Sequence, residues 1–249
     1  MRHCTGRDWE RAMAGFRQLN GRIFEAFDAQ RAAGVDAATH DTAVLAAFAQ
    51  AGQSAGLLHE LDGVAAAGQP VEVELLTGDQ ARTAEPNLSG RVVSAVRVRG
   101  QRCLDPVAYT GALAERVRAR GGKTSEHVTV TGVDRRAGHL RVECADDQRD
   151  ADAVILAAGA WLPELATAHG VRIPQFGGRG YSFTVPLHRP LCLPAARSAL
   201  APRSDRMRVT GVMELARPDA TPDWRPIAAT RRAIAPLLEG ADWDSVADG

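Results

Sequence analysis

The chain has 249 residues, 45% hydrophobic and 24% charged, an ordinary globular composition that argues against an intrinsically disordered protein. Thirty basic residues balance thirty acidic ones, so the chain lacks the basic excess that binds nucleic acid or an anionic membrane surface. The sequence shows neither a signal-peptide pattern nor a run of about 18 apolar residues, and we therefore expect a cytoplasmic protein.

The first hundred residues alternate between helical and strand patterns. Apolar residues recur at three- and four-residue intervals from Trp9 to Phe27, which predicts one long amphipathic helix. A short apolar stretch, Thr42–Phe48, is consistent with a strand. The pattern then predicts a helix over 53–67, a strand over 71–75, a short helix from Thr77 closed by Pro86, and a strand over 92–98.

The next elements begin with a strong helix-start signal. Asp105 is a good N-cap and Pro106 suits the first helical position, so a helix is predicted as far as Arg120. The residues that follow predict two strands, 128–133 and 139–144, joined by a turn at 136–138.

The most informative stretch is the nearly unbroken apolar run Ala151–Ala158, which ends at Gly159. Such a run predicts a strand buried on both faces, as in the centre of a parallel sheet. Small residues at its carboxyl end would let the backbone approach a cofactor. The remaining predicted elements are a helix over 163–169, strands over 181–185, 199–201 and 207–215, and a helix over 224–238.

Several common site motifs are missing from the sequence. There is no G-x-G-x-x-G, so no dinucleotide-binding glycine loop is predicted within this chain. The histidines are isolated, and no cysteine pair has C-x-x-C spacing, which predicts no metal site and reduced thiols. The cysteines are Cys4, Cys103, Cys144 and Cys192.

Five segments together resemble the D-amino-acid dehydrogenase and glycine-oxidase branch of the D-amino-acid oxidase/dehydrogenase (DAO) family of FAD-dependent oxidoreductases. In chain order they are Leu104–Pro106 with its helix, Val128–Val133, Asp152–Trp161, Arg179–Ser182 and Met207–Leu215. They occur in the family's order and spacing and extend over almost the whole chain.

The resemblance implies FAD as the cofactor. Val130 matches the family's valine beside the adenine, and Ala158, Gly159 and Trp161 match its second flavin-contacting strand and turn. The family opens with a glycine-rich strand and closes with a glycine-rich turn. Neither is found here, so we expect a chain truncated at both ends.

The resemblance also implies an activity, which is oxidation of the Cα–N bond of an amino acid, above all a D-amino acid. Hydride passes to the flavin, and water hydrolyses the resulting imino acid. A substrate carboxylate needs a bidentate Arg or a Tyr hydroxyl. Tyr181 is the first candidate and Arg179 the second, with Arg203 and Arg206 behind them. A homodimer or an electron-acceptor partner is expected as well.

The expected fold is α/β, an incomplete FAD/NAD(P)-binding three-layer domain interleaved with a substrate domain of antiparallel sheet and helices. Residues 1–35 and 103–172 are predicted to belong to the FAD-binding domain, and residues 36–102 and 173–249 to the substrate domain.

Two other hypotheses stay open at this point. The chain could be a non-catalytic remnant or interaction module that does not hold FAD alone. It could also belong to a branch that oxidises a secondary amine such as sarcosine or proline, because fold-level analogy does not determine substrate specificity.

Overall fold

The computed structural model describes residues 5–69, 71–185, 190–203, 206–215, 221, 223–240, 243 and 247–248. The chain forms two compact units. The first comprises Met1–Arg116, Tyr181–Val212 and Trp224–Gly249, and the second comprises Val117–Gly180 and Met213–Asp223. The predicted assignment of segments to FAD and substrate domains concerns ligand binding and stays a prediction.

The α-helices and β-strands alternate along the chain. The helices are α1 (Gly6–Asn20), α2 (Ile23–Ala32), α3 (Ser54–Ala66), α4 (Gly78–Ala84), α5 (Pro106–Ala119), α6 (Leu162–Thr167) and α7 (Arg225–Ile234). The strands are β1 (Thr39–Phe48), β2 (Val73–Thr77), β3 (Ser94–Leu104), β4 (Val130–Arg136), β5 (His139–Cys144), β6 (Gln148–Ala151), β7 (Gly178–Val185), β8 (Leu191–Leu193), β9 (Ser198–Arg203), β10 (Arg206–Leu215) and β11 (Ala247–Asp248).

The larger sheet has eight strands in the order β11-β7-β10-β9-β8-β1-β3-β2. The long strands β1 and β3 pair antiparallel near one edge of this sheet, whereas β1 and β8 run parallel. The smaller sheet is the antiparallel three-stranded set β4-β5-β6. The prediction of an α/β chain that includes antiparallel sheet is confirmed.

Side chains of β1 alternate between two faces of the large sheet. Leu45 and Ala47 join the main core of the first unit, while Ala46 and Phe48 join a smaller cluster on the opposite face. This period of two is that of a strand buried on both sides. Helix α3 covers the smaller cluster with its leucines.

The main core lies against α7 and the residues that follow it. It contains the buried side chains Tyr181, Phe183, Val185, Leu193, Met207, Val209, Ile227 and Ile234, among others. The predicted strands at 181–185 and 207–215 and the predicted helix at 224–238 are therefore confirmed, with α7 ending earlier than expected.

The predicted single helix at the N-terminus is wrong in one respect, because the structure has two helices there. α1 ends at a C-cap on Gly21, whose backbone N–H donates to the carbonyls of Arg17 and Leu19. Glycine destabilises helix interiors, so a break at this point follows from local propensity.

Two predicted helix starts are confirmed by their caps. The Thr77 hydroxyl accepts from the backbone N–H of Gln80, and the Gln80 side chain accepts from Thr77 N–H, a complete capping box. The Asp105 carboxylate accepts from the N–H groups of Val107 and Ala108 at 2.8 and 3.2 Å. Sequence-local hydrogen bonds therefore define both starts.

The predicted buried strand Ala151–Ala158 is wrong. β6 ends at Ala151, and residues 153–158 are not in a strand. The side chain of Ile155 is 91% exposed. A strand in the centre of a sheet needs a neighbour on each side to satisfy its backbone. Among the described residues, none pairs with this segment.

Within the described part of the chain, no helix is long and apolar enough to cross a membrane. The same residues contain no group of three or more His, Cys, Asp or Glu side chains that could hold a metal ion.

Three cysteines in the described residues are free thiols, namely Cys103, Cys144 and Cys192. Burial raises the pKa of the Cys103 and Cys192 thiols above the ordinary thiol value. The native state therefore keeps these protons to higher pH than the unfolded state does. Their contribution to stability is present below the unfolded thiol pKa and falls as pH rises toward the native one.

We expect both thiols to be alkylated more slowly in the native protein than in the urea-unfolded chain at the same pH, because the thiolate is the nucleophile. Mass spectrometry of iodoacetamide-treated peptides over a pH series measures this. The pH at which the alkylation rate constant reaches half of its maximum should be higher in the native protein than in the unfolded chain. Identical pH profiles in the two states would contradict the effect of burial.

Candidate functional site

A tight turn of small residues follows the exposed apolar segment in the second unit. Ala158 precedes a single 3-10 turn, Gly159–Trp161, and accepts a hydrogen bond from Trp161 N–H at 3.1 Å. The Gln175 side chain donates to the Gly159 carbonyl at 2.9 Å. The turn is therefore closed by a backbone hydrogen bond of its own and tied to the Gln175 side chain.

Gly159 has a φ of +53°, in the left-handed region that favours glycine. A Cβ at this residue would meet no other atom within 4 Å. The turn thus presents a bare backbone to open space, which is what close approach of a flat ring requires.

The surface around this turn is apolar and open. Ile155 lies upstream of it, and Trp161 within it is 58% exposed. Phe176, next to the Gln175 that ties the turn, is exposed as well. Exposed apolar area of this kind marks a surface that binds a partner or a ligand.

Val130 begins β4 on the smaller sheet and lies opposite Cys144 of β5. It is partly exposed, at 38%. α6, which follows the 159–161 turn, packs against β4 within the same unit. The four residues predicted to contact FAD, Val130, Ala158, Gly159 and Trp161, all belong to this unit.

The residues present fit one part of an FAD site. The open turn at 158–161 suits contact with the flavin, and partly exposed Val130 suits contact with the adenine. The diphosphate usually needs backbone N–H groups of a glycine-rich loop at a helix start, and the sequence contains no G-x-G-x-x-G.

Arg179 lies on β7 within the second unit and forms an ion pair with Glu214 of β10 at 3.5 Å. Both side chains are largely shielded from solvent, at 21% and 33% exposure. Gly178, beside it, has the Met213 sulfur 3.2 Å from the position of a Cβ. The predicted substrate residue Arg179 is thus held by a carboxylate in this structure.

Tyr181 belongs to the first unit and is buried in its main core. Its ring meets Trp224 edge to face, with centroids 5.9 Å apart and planes at 76°. Its neighbour Ser182 accepts a hydrogen bond from Arg208 Nε at 3.0 Å. The aromatic ring is therefore fixed in place by packing.

Sequence reasoning missed three residues that hold these candidates in place, namely Gln175, Glu214 and Trp224. Glu214 stood in the quoted segment Met207–Leu215, and its charge opposite to that of Arg179 was the available signal. Arg206 is only partly exposed on β10. The Arg203 side chain lies outside the described residues.

The sequence pattern of the DAO family, described as FAD dependent oxidoreductase, matches residues 3–248. Among curated relatives, a D-amino acid dehydrogenase of Rhizorhabdus wittichii is 29% identical over 176 residues, or 65% of this chain and 41% of the relative. One of Chromohalobacter salexigens is 30% identical over 202 residues, or 73% of this chain and 48% of the relative. The chain thus spans less than half the length of these two relatives.

Solved structures share the fold at low identity. Glycine oxidase from Geobacillus kaustophilus matches with a TM-score of 0.72 at 17% identity, and the match covers 99% of this chain and 67% of the glycine oxidase chain. Iminodiacetate oxidase from Chelativorans sp. BNC1 gives 0.68 at 16% identity, covering 96% and 65%. The fold resemblance and the family match agree, and the chain belongs to the DAO family of FAD-dependent oxidoreductases.

Proposed function

We propose that this chain provides the flavin-contacting turn and the substrate-side sheet of an enzyme that oxidises the Cα–N bond of an amino acid, with preference for a D-amino acid. Family membership supports an FAD-dependent oxidoreductase. The relatives named D-amino acid dehydrogenase support the substrate class. Because the chain spans under half of those relatives, the activity of a whole enzyme is part of the proposal.

One observation carries the proposal, the open turn at Ala158–Trp161. Gly159 has a left-handed φ, no neighbour near its Cβ position, and a carbonyl fixed by Gln175. A bare and rigid backbone of this kind lets a flat ring system lie close without a side chain in the way. Val130 is the proposed contact for the adenine.

Bound FAD would supply the hydride acceptor, and the chain's own residues would hold the substrate. We assign the substrate carboxylate to the Tyr181 hydroxyl, which the edge-on packing against Trp224 holds in one orientation. Holding the carboxylate limits the orientations that the Cα–H bond can take, and a favourable orientation lowers the barrier. Arg179, paired with Glu214, stays a second candidate.

The substrate class is tested on the FAD-loaded chain under anaerobic conditions. D-alanine, L-alanine, glycine, sarcosine and proline are added separately, and bleaching of the flavin band is followed. The proposal expects D-alanine to bleach the flavin fastest. Bleaching by sarcosine or proline with none by D-alanine would favour the secondary-amine branch instead.

Tyr181→Phe should raise KM for the amino acid by about ten- to a hundredfold and change kcat less, because a hydrogen bond to a charged group is worth about 1.5–3 kcal/mol. The change keeps the ring that packs on Trp224. The matched control is Tyr109→Phe, at the chain's other tyrosine, whose hydroxyl donates to Gln30. Equal KM values for both variants would contradict the assignment.

A second candidate function is a chain that folds but does not hold FAD by itself. The observation that favours it is the exposure of Ile155 within a segment that pairs with no strand among the described residues. Such a chain would act as a binding module for another polypeptide.

A further inference from the structure

The two N-terminal helices meet at an Asn-Gly dipeptide. α1 ends at Asn20, α2 begins at Ile23, and both Asn20 and Gly21 are exposed. The sequence contains one other asparagine, Asn87, which is followed by Leu88. Asn20 is therefore the chain's one asparagine with a glycine after it, and glycine, which lacks a Cβ, is the neighbour that least hinders attack on the side-chain amide.

An asparagine side chain followed by glycine is open to an intramolecular reaction, and asparagine counts among the thermolabile residues of proteins. The backbone nitrogen of Gly21 attacks Cγ of Asn20, forming an N–C bond and giving up its hydrogen, while the side-chain nitrogen leaves as ammonia. Water then opens the resulting five-membered imide at either of its two carbonyls. The products are aspartate and isoaspartate, and the reaction needs no reagent other than water.

Two hydrogen bonds engage the reacting groups in the structure. Gly21 N–H donates to the Arg17 carbonyl at 3.0 Å, at the last turn of α1. Asn20 Nδ2 donates to the side-chain oxygen of Gln69, Oε1, also at 3.0 Å. The attack requires both groups to reorient, so its rate depends on how often these bonds open.

Opening at this junction disrupts little packing, because no residue of α1 is buried. The contacts of α1 with the rest of the first unit include the Trp9 ring, which lies 3.0 Å from the position of a Cβ on Gly63. They also include the Arg17 side chain, at the same distance from the position of a Cβ on Gly68. Elements with few buried contacts open locally at low free energy. The α1–α2 junction therefore opens without unfolding of the first unit.

Asn87 provides the contrast within the same unit. Leu88, whose nitrogen would have to attack there, is 1% exposed, and its N–H donates to the Glu85 carbonyl at 3.1 Å. The Asn87 carbonyl accepts from Glu239 N–H at 2.7 Å. Reaction at Asn87 requires this buried segment to open, which takes more free energy than opening of an exposed helix end.

We propose that Asn20–Gly21 is a site of spontaneous modification, at which opening of the α1–α2 junction in the native protein converts Asn20 to aspartate or isoaspartate. Either product places a carboxylate at the C-terminal end of α1, which is the negative end of the helix dipole. A carboxylate also has no hydrogen to donate to Gln69 Oε1. Isoaspartate adds one carbon atom to the main chain between the two helices. The modification therefore weakens the attachment of α1 to the first unit.

The test is incubation of the native 249-residue chain at neutral pH and physiological temperature, followed by peptide mass spectrometry over time. The Asn20 peptide should gain about 1 Da, the difference between a side-chain amide and an acid. The Asn87 peptide is the internal control and should keep its mass. The urea-unfolded chain should convert Asn20 faster, because junction opening no longer limits the rate. An unchanged Asn20 peptide in the native chain, over a time in which the unfolded chain is converted, would overturn the proposal.

Two variants test the mechanism. Gln69→Ala removes one of the two hydrogen bonds and should speed conversion in the native chain by about two- to tenfold, the factor that corresponds to one net hydrogen bond, without changing the rate in urea. Gln148→Ala, at an exposed glutamine of the second unit, is the matched control and should convert as the wild type does. Gly21→Ala should slow conversion in both states, because its Cβ shields the attacking nitrogen. A native rate unchanged in Gln69→Ala, or a rate unaffected by Gly21→Ala, would contradict the proposal.

Discussion

Gly159→Val is expected to weaken FAD binding by about a hundredfold or more, because the new side chain fills the space above the turn. Nothing in the described structure lies within 4 Å of a Cβ there, so the added Cβ displaces no protein atom, and under the proposed assignment the side chain takes space that the flavin needs. Loss of a flat ring contact and its burial is worth several kcal/mol, and about 1.4 kcal/mol corresponds to a factor of ten. Fluorescence titration with FAD measures the change.

The variant also carries a backbone cost that must be separated from the loss of ligand. A side chain at a φ of +53° costs roughly 1–2 kcal/mol in the left-handed region. Gly170→Val is the matched control, since Gly170 has a φ of +75° and equally open surroundings in the same unit. We expect the two variants to have similar melting temperatures and only Gly159→Val to lose affinity for FAD.

Equal loss of FAD affinity in both glycine variants would contradict the assignment. That outcome would mean that strain in the second unit, and not contact at the turn, lowers the affinity.

Gly78→Ala is expected to destabilise the first unit by about 1–3 kcal/mol, the usual range for overpacking. An added Cβ would lie 2.4 Å from the Val92 carbonyl oxygen and 3.2 Å from Val93 Cα. Both are backbone atoms, which cannot swing away as the end of a side chain can. Urea unfolding followed by circular dichroism measures the effect.

The matched control for this change is Gly56→Ala in α3, where an added Cβ meets nothing within 4 Å. Alanine is the better helix former there, so this variant should gain about 0.5–1 kcal/mol. The same chemical change is thus predicted to have opposite signs at two helices. A loss at Gly56 or no loss at Gly78 would contradict the described packing.

Local signals predicted much of the fold, because their causes lie within a few residues. The capping box at Thr77 and the Asp105 cap fix two helix starts through hydrogen bonds to residues two or three positions away. Alternating apolar and polar residues predicted β2 and β3, since the period of a half-buried strand is visible within the segment itself. Gly21 was also a local signal, for the end of α1, but the apolar periodicity continues on both sides of it and favoured one long helix.

The failure at Ala151–Ala158 has a different cause. An apolar run indicates that a segment is suited to burial, but whether the segment pairs as a strand depends on other strands far away in the sequence. The same limit applies to the site. The pairing of Arg179 with Glu214 and of Tyr181 with Trp224 joins residues over thirty positions apart, which periodicity does not show.

The family resemblance supplied what periodicity could not. It pointed to FAD and to the DAO family, and the family match over residues 3–248 confirms both. The particular residues at the flavin and at the substrate stay predictions.

The most direct test of the account is the visible absorption spectrum of the purified chain after incubation with excess FAD and desalting. The account predicts a retained flavin spectrum and partial quenching of the tryptophan fluorescence, to which half-exposed Trp161 contributes, and loss of both effects in Gly159→Val. A colourless protein with unchanged tryptophan fluorescence would contradict it, and would favour the chain that folds without holding FAD.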